Sequence, residues 1–291
     1  MSAIHFFRSD EGRDRVLSSY NDILERWPTP LDRRMIPTRE GETHVISWGE
    51  ENAPPLILLH GSVANAATWL AHAEIYGAAF RCHAIDMIGE PGLSAQNRQP
   101  LDSEVHARWL DDVLAGLGVK SARFVGLSLG GWLALDYANR RPDRVEALAG
   151  IAPAGIGKQG NLLLKAWPLL FMGKRGSMKL REMVMGPGVL DAQATDPKQA
   201  SFLAFQNLIM DNFRGRIVKI PQLSDEELKG LEIPVLIIAG GRDVLVQSQD
   251  TKRRIELLAP QISLDYRPDA YHFIPDTASG VVDFFERHAV A

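Results

Sequence analysis

Residues Phe124-Val-Gly-Leu-Ser-Leu-Gly-Gly-Trp132 set a single hydroxyl, Ser128, between Gly126 on one side and Gly130 and Gly131 on the other. A serine in the pattern G-x-S-x-G has a chemical use when a strand precedes it and a helix follows. The sharp turn between them holds the hydroxyl in strained backbone geometry and requires small residues two positions to either side. As a nucleophile at neutral pH such a serine needs a base, and the base needs an acid to orient it. The apolar run 234–239 ends in Gly240-Gly-Arg-Asp243, and the run 261–267 ends in Pro268-Asp-Ala-Tyr-His272. Ser128, Asp243 and His272 therefore follow one another in the order Ser…Asp…His, each just past a strand end, where open α/β sheets place their ligand crevice. Taken singly, Asp243 reads as a turn or helix-capping residue and His272 as an exposed loop histidine. Their agreement with Ser128 assigns Ser128 as nucleophile, His272 as general base and acid, and Asp243 as the orienting acid.

An attacked carbonyl develops negative charge, and backbone N–H groups can hold it. The amide of Leu129, at the start of the helix after Ser128, is one candidate donor. The second is the amide of Ser62, in Leu59-His60-Gly61-Ser62 after the apolar run 55–59. His60 precedes the nucleophile in the chain and is expected to shape this loop rather than to move protons.

The elements that must position these groups are legible from periodicity. Residues 9–27 carry Val16, Tyr20, Ile23, Leu24 and Trp27 at helical spacing, closed by Pro28 and Pro30. Residues 34–38 and 43–48 read as an antiparallel entry hairpin. Then follow a buried strand at 55–59, an alanine-rich helix at 66–80, a strand at 82–87, a helix at 102–117, a strand at 122–127, a helix at 131–140 and a strand at 145–151. Such alternation predicts a parallel sheet sandwiched by helices. It stops over 155–230, which is rich in Leu, Met and Phe and reads as mostly helical. It resumes with a strand at 234–239, a helix at 247–258, a strand at 261–267 and a final helix after Pro275. One α/β domain, 1–154 with 231–291, carrying a helical insertion at 155–230, is the simplest organisation.

Composition narrows the function classes. At 291 residues and a net charge of -4, with no long basic run, the chain offers no nucleic-acid surface. The single cysteine, Cys82, sits in a strand-like run and reads as a small buried hydrophobe, and it can form no internal disulfide. No signal peptide is read at the N-terminus, and the most apolar stretch, 162–172, is too short to span a bilayer. A cytoplasmic protein with no membrane partner is expected. Gly155-Ile-Gly-Lys-Gln-Gly160 matches G-x-G-x-x-G but precedes no strand carrying an acidic residue, and Gly157-Lys158 lacks the Ser or Thr of a P-loop. It reads as a flexible hinge into the insertion. The histidines form no H-E-x-x-H or comparable cluster, so no metal site is expected.

His60-Gly61, Asp86…Gly89…Gly92-Leu-Ser94, Gly126-Leu-Ser-Leu-Gly-Gly131, Gly240-Gly-Arg-Asp243 and His272-Phe273 resemble motifs of the α/β-hydrolase family. The resemblance covers 46–159 and 231 to the C-terminus, with the insertion where that family carries a cap. The helix ending in Trp27-Pro28 and the segment Asp86-Met-Ile-Gly-Glu-Pro91 are most similar to small bacterial carboxylesterases. The loop after Gly61 departs from many relatives in lacking a proline or further glycines, and the histidine sits in Asp-Ala-Tyr-His rather than Gly-Ala-Gly-His. What the resemblance implies is a mostly parallel central sheet flanked by helices, a helical cap, and hydrolysis of a small, fairly apolar carboxylic ester through an acyl-enzyme. That chemistry needs no cofactor and no partner beyond the small-molecule ester. Lactone, amide or carbon–carbon bond hydrolysis can use the same triad, and a ligand sensor on this fold can keep it intact. Serine at 128 argues against the dehalogenases and epoxide hydrolases of the family, which use an aspartate there. Trp167, Phe171, Met183 and Phe205 of the insertion are candidates to line the substrate pocket, their shapes suiting an acyl chain. The oligomeric state stays open.

Overall fold

The apolar runs that read as strands lie side by side. The computed structural model describes residues 6–160, 172–187, 197–216 and 218–289. In chain order its elements are α1 (Asp10–Glu25), β1 (Asp32–Thr38), β2 (Gly41–Trp48), β3 (Pro55–Leu59), a 3₁₀ helix (Ala66–His72), α2 (Ala73–Ala79), β4 (Arg81–Ile85), α3 (Val105–Leu117), β5 (Ala122–Leu127) and α4 (Leu129–Arg140). After a 3₁₀ turn (Pro142–Arg144) come β6 (Val145–Ile151), α5 (Gly173–Met185), α6 (Pro197–Asn212), α7 (Asp225–Lys229), β7 (Val235–Gly240), α8 (Ser248–Leu258), β8 (Ser263–Arg267) and α9 (Ala278–Arg287). The eight strands form one sheet in the order β1-β2-β4-β3-β5-β6-β7-β8. β2 pairs antiparallel with β1 and with β4. Every pair from β4 across to β8 is parallel.

The central strands are apolar on both faces because both are covered. Ile57, Leu59, Phe124, Leu148 and Ile237 pack beneath Trp109, Leu133 and Ile255 of α3, α4 and α8. The alternate residues Leu56, Leu58, Val125, Ala149 and Ile238 pack against Tyr20, Trp69 and Phe285 on the opposite side. Cys82 lies in this second layer as a buried free thiol, its pKa raised by burial.

One expectation is revised by tertiary contacts and another refined. The alanine-rich stretch is helical, as a 3₁₀ helix followed by α2. Its first turn is tied to the core, since the Asn65 side chain accepts Ala67 N–H at 3.2 Å and Asp86 Oδ1 accepts Ala66 N–H at 2.9 Å. The segment 155–160 is braced rather than hinged. Gly157 N–H donates to Thr251 Oγ1 at 3.1 Å, Lys158 N–H to Asp250 Oδ2 at 3.0 Å and Gly160 N–H to Leu245 O at 2.7 Å. Its glycines are there for close approach: a Cβ on Gly160 would lie 2.1 Å from Val244 O. Arg254, buried on α8, closes the same corner by donating to Ile156 O, Leu223 O and Asp225 Oδ1 at 2.5, 2.8 and 2.7 Å. It thereby joins the point where the chain leaves the sheet after β6 to the point where it comes back.

Candidate active site

Ser128 stands between the end of β5 and the start of α4 at φ 52 and ψ -109. A non-glycine residue in that region is strained by about 1–3 kcal/mol and persists only where its surroundings impose it. Here Ser128 N–H donates to Ile151 O at 3.0 Å, and Ser128 O accepts from Trp132 and Ala154 N–H at 3.0 and 3.1 Å. The glycines follow from the same turn. A Cβ on Gly126 would lie 2.4 Å from Gly130 O, and one on Gly130 would lie 2.2 Å from Leu59 O.

The loop after β7 carries Asp243 and the loop after β8 carries His272, so the parallel sheet delivers all three residues to its carboxyl edge. His272 Nδ1–H donates to Asp243 Oδ2 at 2.6 Å. The other oxygen of Asp243 accepts Leu245 and Val246 N–H at 2.7 and 3.0 Å. The Asp243 side chain is fully buried and that of His272 nearly so. With Nδ1 donating to the carboxylate, Nε2 is left with a lone pair, the state a base requires. Ser128 Oγ makes no hydrogen bond to His272 within the described residues. Contacts of this kind commonly close only around substrate.

The loop after β3 lies against the serine: a Cβ on Gly61 would be 3.6 Å from Ser128 Cβ. Among the described residues neither Leu129 N–H nor Ser62 N–H has a hydrogen-bond partner. His60 is fully buried, its Nδ1–H donating to Gly61 O at 2.7 Å and its Nε2 accepting Met87 N–H at 2.9 Å. Burial holds its pKa below the ordinary histidine value, against the pull of Asp86 and the Gly61 carbonyl. Both ring nitrogens are thus engaged in shaping the loop.

Behind the loop lies Asp86, which accepts from Tyr20 Oη–H, Ala66 N–H, Leu93 N–H and His44 Nδ1–H, each at 2.9 Å. Burial raises its pKa, but the bonds from His44 and Leu93 outweigh that and leave it below the usual carboxylate value. α1 therefore reaches the core through Tyr20.

From the insertion, α5 ends on the histidine loop, where Val184 O accepts His272 and Phe273 N–H at 3.1 and 3.3 Å. Met183, half-buried, immediately precedes it. Phe205 is buried and stacked on Tyr20 with ring centroids 6.1 Å apart. Trp167 and Phe171 lie outside the described residues. Two features escaped the sequence reading. One is the Val184 carbonyl, for which no local signal exists. The other is Glu90, whose Oε2 accepts Val63 N–H at 2.7 Å. Its signal was a charge between Gly89 and Pro91 in an otherwise apolar turn.

The sequence profile described as the alpha/beta hydrolase family matches residues 56–284. Carboxylesterase YbfK of Bacillus subtilis (strain 168) is 28% identical over 278 residues, which span 92% of this chain and 90% of that protein. The crystal structure of naproxen esterase (carboxylesterase NP) from Bacillus subtilis superposes with a TM-score of 0.79 at 27% identity, covering 96% of this chain and 98% of that one. That of carboxylesterase CesB (YbfK) from the same organism gives 0.78 at 26% identity, covering 95% and 96%. Among the described residues no helix is long and apolar enough to cross a membrane.

Proposed function

We propose that this chain, which belongs to the alpha/beta hydrolase family, is a serine carboxylesterase acting on a small, fairly apolar ester. The observation that carries the reading is the 2.6 Å bond from His272 to Asp243, on loops at the same carboxyl edge of the sheet as a serine at φ 52. Similarity to two Bacillus subtilis carboxylesterases over nearly the whole chain supports the choice of ester over other acyl substrates.

In the proposed reaction Ser128 Oγ attacks the ester carbonyl carbon while its proton passes to His272 Nε2. Asp243 keeps the imidazole in its tautomer and stabilises the imidazolium. The carbonyl oxygen, now an anion, is held by Leu129 and Ser62 N–H; each donor of this kind is typically worth a hundred- to a thousandfold in rate, about 3–4 kcal/mol. Collapse breaks the bond to the alkoxy oxygen, which takes the proton from His272 and leaves as alcohol. Water, giving a proton to the same imidazole, then attacks the acyl carbon, and the acid departs as Ser128 regains its hydrogen. Residues 155–230 form the cap, and Met183, placed one residue from the carbonyl that contacts the histidine loop, lines the pocket beneath it. Phe205 is proposed to line it as well. Trp167 and Phe171 are proposed to complete the lining.

The test is hydrolysis of p-nitrophenyl esters of increasing acyl length by wild type and Ser128→Ala. Multiple turnover that vanishes in the variant is the expected result. Absent or single-turnover hydrolysis would sink the ester reading and turn attention to lactones, amides, carbon–carbon substrates or a sensor.

A further inference from the structure

Glu90 follows β4 in Gly89-Glu90-Pro91 and is 1% exposed. A carboxylate is almost never buried unless something holds it. Its Oε2 accepts Val63 N–H at 2.7 Å, a length typical of charge-assisted bonds. Among the described residues its Oε1 has no hydrogen-bond partner, and Arg216 Nε, itself unpartnered among them, stands 4.0 Å away. Burial pushes the Glu90 carboxyl up to about 7 against the Val63 bond and the attraction of Arg98 and Arg216.

Val63 sits at φ 57. A β-branched residue takes up that left-handed backbone only when its surroundings dictate it. The bond to Glu90 is the hydrogen bond its amide makes. It takes the Val63 N–H out of use and leaves the preceding amide, that of Ser62, unpartnered beside Gly61 and Ser128. On its other side Glu90 shares with His106, Arg216, Trp132 and Leu129 a cavity of about 10 Å³. Among the described residues that space is no larger than about one water needs, so the carboxylate faces no substrate-sized space there. It stands behind both candidate oxyanion donors.

We propose that Glu90 is the positioning residue of the oxyanion loop: its carboxylate holds Val63 left-handed so that Ser62, not Val63, offers its N–H to the substrate oxygen. Arg216, on the return from α6, links that hold to the insertion through its approach to Oε1 and its own bond from Nη1 to Gln99 O at 3.0 Å. The assignment rests on the serine-hydrolase reading above.

The experiment compares wild type, Glu90→Leu and Glu90→Gln at pH 8, measuring kcat and KM for p-nitrophenyl butyrate and the second-order rate of Ser128 labelling by a fluorophosphonate. Glu90→Leu should lower kcat about ten- to a hundredfold with KM within about twofold, because transition-state support is lost and binding is not. Glu90→Gln, whose amide oxygen accepts the same bond, should recover kcat to within about threefold of wild type. Labelling rates should follow kcat, since the phosphonyl oxygen occupies the same hole. A merely structural role would not separate kcat from KM or be rescued by the amide. Should Glu90→Leu fail to fold, Glu90→Ala is read by the same criteria. Wild-type kcat in the apolar variant, or equal losses in both variants, overturns the assignment while a labelled wild type leaves the hydrolase reading standing. A wild type that neither turns over nor labels overturns both.

Discussion

Glu90→Gln should change how stability depends on pH, and the size of the change follows from where the carboxyl sits. Burial raises its pKa from 4.5 to about 7 in the folded protein. A group bound more tightly to its proton when folded contributes stability that is fully present below pH 4.5 and is lost as pH rises through 7. At about 1.4 kcal/mol per pH unit, the full gap is worth about 3 kcal/mol, and about 2–3 kcal/mol of it falls between pH 5 and pH 8. The glutamine variant has no such loss, and every other titration is common to the two proteins. The difference in unfolding free energy, variant minus wild type, should therefore rise by about 2–3 kcal/mol from pH 5 to pH 8. In a thermal scan that is roughly 5 °C in Tm at this chain length. Urea titrations of both proteins at intervals across that range are the assay. A difference that stays flat within about 0.5 kcal/mol would show that the carboxylate pays no desolvation cost, and the reasoning from its burial would fail.

Asp243→Asn should lower kcat about ten-thousandfold, with Leu245 and Val246 still bonded to the side-chain oxygen; ester turnover unchanged in that variant would assign the orienting role to another acid. Gly126→Ala should abolish fluorophosphonate labelling of Ser128, because the added methyl would meet Gly130 O at 2.4 Å, and a normally labelled variant would refute the close-approach account of the turn. Burial holds His106 down to about 4. A histidine depressed on folding contributes stability present above its unfolded value, near 6.5, and lost as pH falls toward 4. His106→Leu should therefore be spared about 2 kcal/mol of the loss wild type suffers between pH 7 and pH 4.5, and parallel urea titrations that show identical losses would contradict this.

The sequence by itself determined what is written in contiguous residues or in chain order. The turn around Ser128 is such a feature, because its glycines lie within a few residues of the serine and a Cβ on Gly126 would meet the backbone of Gly130. The placing of Asp243 and His272 is another, since a parallel sheet sends every strand's carboxyl end to the same edge and the strands announce themselves as apolar runs. Tertiary structure alone decided that the Val63 N–H is taken by Glu90, since these two are 27 positions apart. It also turned the Gly155–Gly160 segment from an expected hinge into a brace on the Asp243 loop, and set the Val184 carbonyl on the histidine loop. Spacing along a chain encodes which face of an element a side chain occupies. It does not encode which remote backbone group will meet that face, and an unpaired N–H or a buried carboxylate acquires its role only once that partner is fixed.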